Sequence, residues 1–405
     1  MRKSLLLFVL LLVLSCNLNR PDALTEGVWR AELQLTKTEM LPFNFEVTSR
    51  DALKIFNANE VIMITDIEYS NDTIIIKMPV FEGYIEAVVK NGRLNGNFIK
   101  QGLDRMVPFS AEIGNKTRFQ LKTQIPSQNV TGNWETIFSP NSEEDSYIAK
   151  GTFEQKGNTV TGTFRTTTGD YRYLEGVMDG SAMKLSTFDG AHAFLFTAEV
   201  NDSIMNGEFY SGNHWKEPFT AKRNENYELP SANDLTFLNP GYDALEFTFP
   251  DADGNQISLS DDKFKNKVVI AQIMGTWCPN CLDESKYYSE FYNTNSEKDI
   301  EFVALAFEYA KTKEKAFSSI NRLKNDIGIQ YPILLAQYGT SSKFKAQEKL
   351  PMLNHILSYP TSIFIDKKGK VRKIHTGFNG PATGEKFAEF KAEFTGFVEE
   401  LLEEE

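Results

Sequence analysis

The sequence predicts a two-part chain, with an N-terminal all-β region made of a duplicated barrel or sandwich unit and a C-terminal α/β domain. Three observations predict it. Short alternating apolar runs bounded by Gly, Asn and Asp fill residues 25–224, similar motifs recur about 105–111 residues apart within that region, and the texture changes to alternating strand and helix signals after residue 243. At 405 residues there is room for two or three domains of about 150 residues each. The apolar share of 41% is that of a globular protein and excludes disordered, collagenous and polytopic membrane classes. Lys+Arg 43 against Asp+Glu 55, net −12, argues against nucleic acid as a partner. Three cysteines are too few for a disulfide-stapled scaffold, so their positions carry the information.

The first cysteine closes an N-terminal segment. Arg2 and Lys3 precede an unbroken apolar run from Leu5 to Leu14, and small Ser15 then leads to Cys16. A membrane-spanning helix needs about 20 apolar residues, so this shorter run suits a cleaved signal, residues 1–15. Val13-Leu14-Ser15-Cys16 resembles the lipobox of bacterial lipoproteins, in which the cysteine is acylated and becomes the first mature residue. The other reading is an ordinary secretory signal with a chance cysteine. Several acyl chains, at about 0.8 kcal/mol per buried CH₂, hold a soluble domain on a membrane. No second apolar span follows, so the mature chain is expected in the cell envelope, lipid-anchored and facing the periplasm. Asn17, in place of the Asp of inner-membrane retention, favours the outer membrane.

In the β region, Thr73–Met78 and Val160–Phe164 typify the strand signals. Trp29 aligns with Trp134, Phe81-Glu82-Gly83 with Phe188-Asp189-Gly190, Asn95-Gly96-Asn97-Phe98 with Asn206-Gly207-Glu208-Phe209, and Pro108-Phe109-Ser110-Ala111 with Pro218-Phe219-Thr220-Ala221. Four anchors in one order indicate two copies, at 25–120 and 128–224, forming two small barrels or sandwiches or one larger barrel closed by both. The Trp and Phe anchors read as core packing. Residues 225–243, with Pro230, Pro240 and several Asn, read as a linker to a domain at 244–405.

That domain begins its core with Val268–Met274, a nearly continuous apolar run suited to a buried central strand. Gly275-Thr276-Trp277-Cys278-Pro279-Asn280-Cys281 follows. Proline is tolerated at the first helical position, which makes Cys278 the N-cap and puts Cys281 one turn inside. The helix N-terminus favours an anion, so the Cys278 thiolate is expected to form below the free-cysteine value of about 8.5. Sulfurs at i and i+3 are close enough to bridge, and a strand, tight turn, CxxC and helix is the geometry of a dithiol–disulfide exchanger. A zinc site, a structural disulfide and a peroxidatic cysteine are the competing readings. Zinc lacks a second ligand pair, so short a disulfide loop constrains little, and the position three before the cysteine is Gly275 rather than Thr or Ser.

Residues 244–405 resemble the thioredoxin-like thiol–disulfide oxidoreductases of the TlpA/ResA type. The resemblance rests on Phe247-Thr248-Phe249-Pro250 through Ser260 as an opening hairpin, on VVIAQIMGTWCPNCLDE, and on Ser358-Tyr359-Pro360-Thr361 leading into Ser362–Asp366. It implies that Pro360 is cis, that Tyr359 and Pro360 face Cys278 and help hold a substrate, and that Trp277 shields one side of the site, packing being the alternative. Glu284 matches the acid of the family's CxxCxxE pattern. It either sits beside the thiols and modulates their protonation or is an exposed helix carboxylate. Gln272 departs from the buried Asp of thioredoxin itself, so deprotonation of the resolving thiol must depend on Glu284 or on water.

A helix at about 314–327, a strand at Tyr331–Ala336 and an apolar stripe Phe387, Phe390, Phe394, Phe397 and Leu401 complete the expected domain. His192, His214, His355 and His375 are scattered, with no acid or cysteine grouped beside them. No cofactor or metal is expected. The resemblance implies a membrane-anchored disulfide reductase acting through Cys278 and Cys281 on protein or small-molecule disulfides, recharged by an upstream membrane thiol donor. A thiol peroxidase, or an envelope lipoprotein whose β region binds a glycan or peptide, are the alternatives. Asp72-Thr73-Ile74 and Asp202-Ser203-Ile204 resemble the O-glycosylation sequon of Bacteroidetes.

Overall fold

The structure, a computed structural model, describes residues 23–123 and 125–404; the expected signal segment 1–15 and Cys16 lie outside the described residues.

Every residue of the run Val268–Met274 is buried. A strand with no exposed side needs partners on both edges and cover on both faces. Ile300–Phe307 pairs with it in parallel and Thr361–Ile365 antiparallel. Ile333–Gln337 and Val371–Thr376 extend the sheet beyond these two. Helix α1 (Pro279–Thr294) leaves the central strand directly, and α2 (Lys313–Ile327), α3 (Lys343–Gln347) and α4 (Glu385–Glu403) follow. Thr312 caps α2 by accepting the Lys315 N–H, and Gly328 ends it in the left-handed conformation. The α4 stripe packs on α1 and the sheet: Tyr288 lies 5.1 Å from Phe394 and 5.3 Å from Phe302. The result is a thioredoxin-like domain.

The N-terminal half is all β apart from a short turn of 3-10 helix at Gln101–Leu103. Its strands form two nine-stranded antiparallel sheets. In the first, Gly27–Gln34 pairs with Met40–Ser49 and with the last strand, Arg105–Ile113. Among the described residues the sheet stays open between Glu60–Ile64 and Ile67–Ser70. In the second, Gly132–Phe138 pairs with Tyr147–Lys156 and with Trp215–Arg223. Thr159–Thr166 pairs with both Tyr147–Lys156 and Leu174–Asp179, which closes a barrel, while the two-residue strand Gly169–Asp170 hangs on its edge. The idea of one barrel shared by both halves is therefore corrected. First and last strands of each copy pair with each other, and among the described residues no strand of one copy pairs with a strand of the other.

The duplication is visible in detail. Trp29 and Trp134 are both fully buried, and each indole N–H donates at 2.9 Å to the carbonyl four residues earlier, Thr25 and Val130. Gly96 and Gly207 lie under the neighbouring strand, where a Cβ would come 1.9 Å from the Glu86 carbonyl and 2.4 Å from that of Thr197. Rings fill the barrel as its small diameter requires. Phe138 stands within 5.4 Å of both Phe164 and Phe219, and Glu217 accepts the Tyr147 hydroxyl at 2.8 Å and that of Ser139 at 2.6 Å.

The three parts are locked together. The segment 225–243 has no helix or named strand but is a fixed strap: Glu228 pairs with Lys150 at 2.6 Å, and Ala232 and Asp243 accept the Thr376 and Val371 amides at 2.9 Å. Phe188 of the barrel stacks on Phe43 of the first sheet at 4.4 Å. Arg172 is the common joint. Its guanidinium reaches Glu60 of the first sheet at 2.5 Å, Asp189 of the barrel at 3.5 Å, and Asp283 of α1. Burial pushes Asp189 upward, but His192 and Arg172 outweigh it and hold the carboxyl well below its usual range. Removing one partner of a buried ion pair strands the other charges, so Arg172→Ala is expected to cost about 3–5 kcal/mol of stability. Urea unfolding of wild type and variant checks this, and an unchanged midpoint would show that the joint is not structural.

Candidate active site

Where the central strand ends, the turn Gly275–Trp277 is held by the end of the adjacent strand. Glu308 accepts the Thr276 N–H at 2.8 Å and its hydroxyl at 2.7 Å, and the Trp277 indole N–H donates to the Phe307 carbonyl at 3.0 Å. Pro279 opens α1 and Cys278 is its N-cap. The Cys278 sulfur accepts the Cys281 N–H at 3.3 Å and its thiol donates to the Tyr359 carbonyl at 3.3 Å. The Tyr359–Pro360 bond is cis and leads into Thr361–Ile365. Both cysteines are free thiols. Cys278 retains 8% exposure and Cys281 none, so an incoming group meets the outer sulfur first. Trp277 is half-buried with its ring 5.6 Å from Tyr359 and 5.9 Å from Tyr309. The structure thus brings Trp277, Cys278, Cys281, Tyr359 and Pro360 together.

Glu284 is fully buried, not an exposed helix carboxylate. Gln272 Nε2 donates to its Oε2 at 2.8 Å and the Ser362 hydroxyl to its Oε1 at 2.9 Å, with the Tyr288 hydroxyl 3.2 Å away. Burial pushes its pKa up to about 7 although these donors favour the carboxylate. Burial likewise pushes the Cys281 thiol up, and the adjacent Cys278 sulfur and the Glu284 charge add to it. Gln272 stands where thioredoxin has an acid. It does not titrate; it holds the acid that does, and its Oε1 accepts the Ser285 hydroxyl at 3.2 Å.

Several contributors escape sequence reasoning. Glu308 is buried under the turn, and burial raises it to about 7 against the Thr276 hydrogen bonds. The barrel edge also reaches the site. Asn280 Nδ2 donates to the Asp170 carbonyl at 3.2 Å, the Ser358 hydroxyl to the Thr168 carbonyl at 2.8 Å, and the Gly380 amide to Asp170 Oδ2 at 2.6 Å. A Cβ on Gly169, at φ +144°, would lie 2.0 Å from Asn280 Nδ2. No motif marks Thr168–Arg172; the only signal is the glycine of a tight turn. His192 is also corrected, since its Nδ1 sits 3.2 Å from Asp189 Oδ2. Among the described residues no cluster suits a metal.

Dithiol–disulfide exchange asks for one sulfur that a substrate can touch and a second kept close and covered. The C-terminal part falls in that class, a thioredoxin-like thiol-disulfide oxidoreductase. The Redoxin family profile matches residues 239–392. The thiol-disulfide oxidoreductase ResA of Bacillus thuringiensis subsp. konkukian is 30% identical over 155 residues, covering 38% of this chain and 78% of that protein. The thioredoxin-like protein YneN of Bacillus subtilis is 26% identical over 140 residues, covering 35% and 73%. A solved thiol-disulfide oxidoreductase from Bacteroides fragilis superposes with TM-score 0.27 and 21% identity, over 37% of this chain and 99% of that one. The chain belongs to the ResA family of thiol-disulfide oxidoreductases.

The buried carboxyls set a pH dependence. Glu284 and Glu308 titrate near about 7 when folded and near about 4.3 unfolded. Between those values the folded state keeps protons that the unfolded chain has released, so stability falls as pH rises through that window. Glu284→Gln removes one contribution. Its urea midpoint is expected to decline less than that of wild type between pH 5 and pH 7.5, and parallel declines would refute the assignment.

Proposed function

We propose that the protein is a lipid-anchored, extracytoplasmic disulfide reductase in which Cys278 attacks, Cys281 resolves and Glu284 takes the resolving proton. One observation carries this reading: the Cys278 sulfur lies between the Cys281 N–H and the Tyr359 carbonyl at 3.3 Å each, over a fully covered Cys281. The Cys278 thiolate attacks a substrate disulfide, forming a mixed disulfide and expelling one substrate thiolate, which takes up a proton. Tyr359 and Pro360 hold the substrate chain and Trp277 flanks it. Cys281 then passes its proton to Glu284 and attacks the Cys278 sulfur, releasing the second substrate thiolate and leaving Cys278–Cys281 oxidised. Two electrons have moved to the substrate, so a membrane dithiol donor must restore the pair. The rise of Glu284 to about 7 brings its proton affinity closer to that of a thiol than an ordinary carboxylate's would be, which favours it as the acceptor.

Cys281→Ser is expected to accumulate a mixed disulfide through Cys278 that wild type does not hold, detected by non-reducing electrophoresis and mass. Titration of wild type in dithiothreitol buffers should place the couple near or below thioredoxin's value of about −270 mV; a value near about −120 mV would reverse the direction to oxidant. The lipobox resemblance of Val13–Cys16 supports an acyl anchor at Cys16 and an address on the periplasmic face of the envelope, preferably the outer membrane. Cys16→Ser should move the protein from the membrane fraction to the soluble one, and retention in the membrane would remove the anchor.

A further inference from the structure

All three parts of the chain meet beside Trp277 around a cleft of 310 Å³. Aromatic walls come from each of them: Phe98 from the first sheet, Phe194 from the barrel, Trp277 and Tyr309 from the redox domain. Two cations, Lys100 and Arg105, line it, and no carboxylate does. Lys100 Nζ donates to the Ala191 carbonyl at 2.9 Å rather than to an acid, and Arg105 makes no ion pair among the described residues. The nearby acids are engaged elsewhere, Glu82 by the Tyr309 hydroxyl at 3.3 Å and Asp189 by His192 and Arg172.

The cleft is positive enough to act on its own lining. Burial, then the charges of Arg105 and Lys100, hold His214 down at about 4. Burial pushes Lys100 down to about 8. Asp189 and Glu82 act on Lys100 only from beyond ion-pair distance. Partly desolvated cations without a direct ion pair are costly, and here two of them face a cleft in a chain of net charge −12. An anionic ligand offsets that cost. The volume lies at the lower end of small-molecule sites, about 300–1,000 Å³, enough for a small disulfide or for the residues flanking one cysteine.

We propose that this cleft binds a carboxylate of the disulfide substrate next to its exchanging sulfur, with Lys100 and Arg105 holding the carboxylate and Phe98, Phe194 and Trp277 the adjoining carbon skeleton. The inference rests on the exchange reading and names its substrate class: acidic disulfides. Trp277 is shared between the cleft and the dithiol turn, so the two ends of one substrate are read by different parts of the chain.

The test separates binding from chemistry. S-methylglutathione, a redox-inert peptide with free carboxylates, should bind the full chain in calorimetry. Lys100→Met with Arg105→Met should weaken it at least about tenfold, the size of a lost charge-assisted hydrogen bond, whereas Lys100→Arg with Arg105→Lys should retain it. Wild type should reduce anionic glutathione disulfide in preference to cationic cystamine, and the double Met variant should lose about tenfold of that ratio, mostly in KM. Equal binding by wild type and the Met variant, or loss of binding in the charge-retaining variant as well, overturns the proposal. Turnover of both disulfides with no charge preference removes the cleft's role and leaves the exchange reading intact; binding of S-methylglutathione without turnover of either disulfide does the reverse.

Discussion

A single guanidinium, buried where the first sheet, the barrel and the active-site helix converge, is the constraint on which the architecture depends. Arg172 is 4% exposed and faces Glu60, Asp189 and Asp283 from three different parts of the chain. Burial alone would lower its pKa, but the surrounding carboxylates more than offset this and keep it charged. Such a cluster is stable only while all its members are present. The redox domain is therefore not a free head on a tether. Its CxxC helix is bolted to a barrel edge that also contacts Asn280 and the loop carrying the cis proline.

That bolting changes what the site is. In an isolated thioredoxin-like domain the surface around the outer sulfur belongs to the domain itself. Here Thr168–Asp170 form part of it, and the first sheet and barrel add a cationic, aromatic-walled cleft next to Trp277. The interior of the barrel is packed with rings, and the β region meets the active site through the edge at Thr168–Asp170 and through Phe194 at the start of Ala193–Val200.

Within the redox domain, two thiols one helical turn apart differ first through burial. Cys278 stays reachable, while Cys281 is covered and its proton held more tightly. Glu284 shares that burial and is lifted into the range where it can exchange a proton near neutrality. The Gln272 amide steadies it without competing for the proton, so a substitution that looks like a loss of the acid is a relocation of it from the strand to the helix.

The dithiol turn, the cis-proline loop, the central strand and the α4 stripe were legible in the sequence because each is local, and the duplication because its anchors recur in the same order. A CxxC after an apolar run, a Tyr-Pro before a β run and a heptad-like stripe are determined by neighbours within about two turns or one strand. The closure of only the second copy into a barrel was not legible, since it depends on which strand Thr159–Thr166 finds across the ring. Nor were the burial of Glu284 and the part played by Glu308, which depend on Ser362, Gln272 and Thr276 arriving from other strands and turns. Arg172, Asp170, Lys100 and Arg105 carry no motif at all. By itself the sequence determined the chemistry of the pair, Cys278 outside and Cys281 inside a helix start. Only the tertiary structure decided what surrounds that pair, because desolvation and charge pairing depend on residues from 12 to more than a hundred positions apart along the chain.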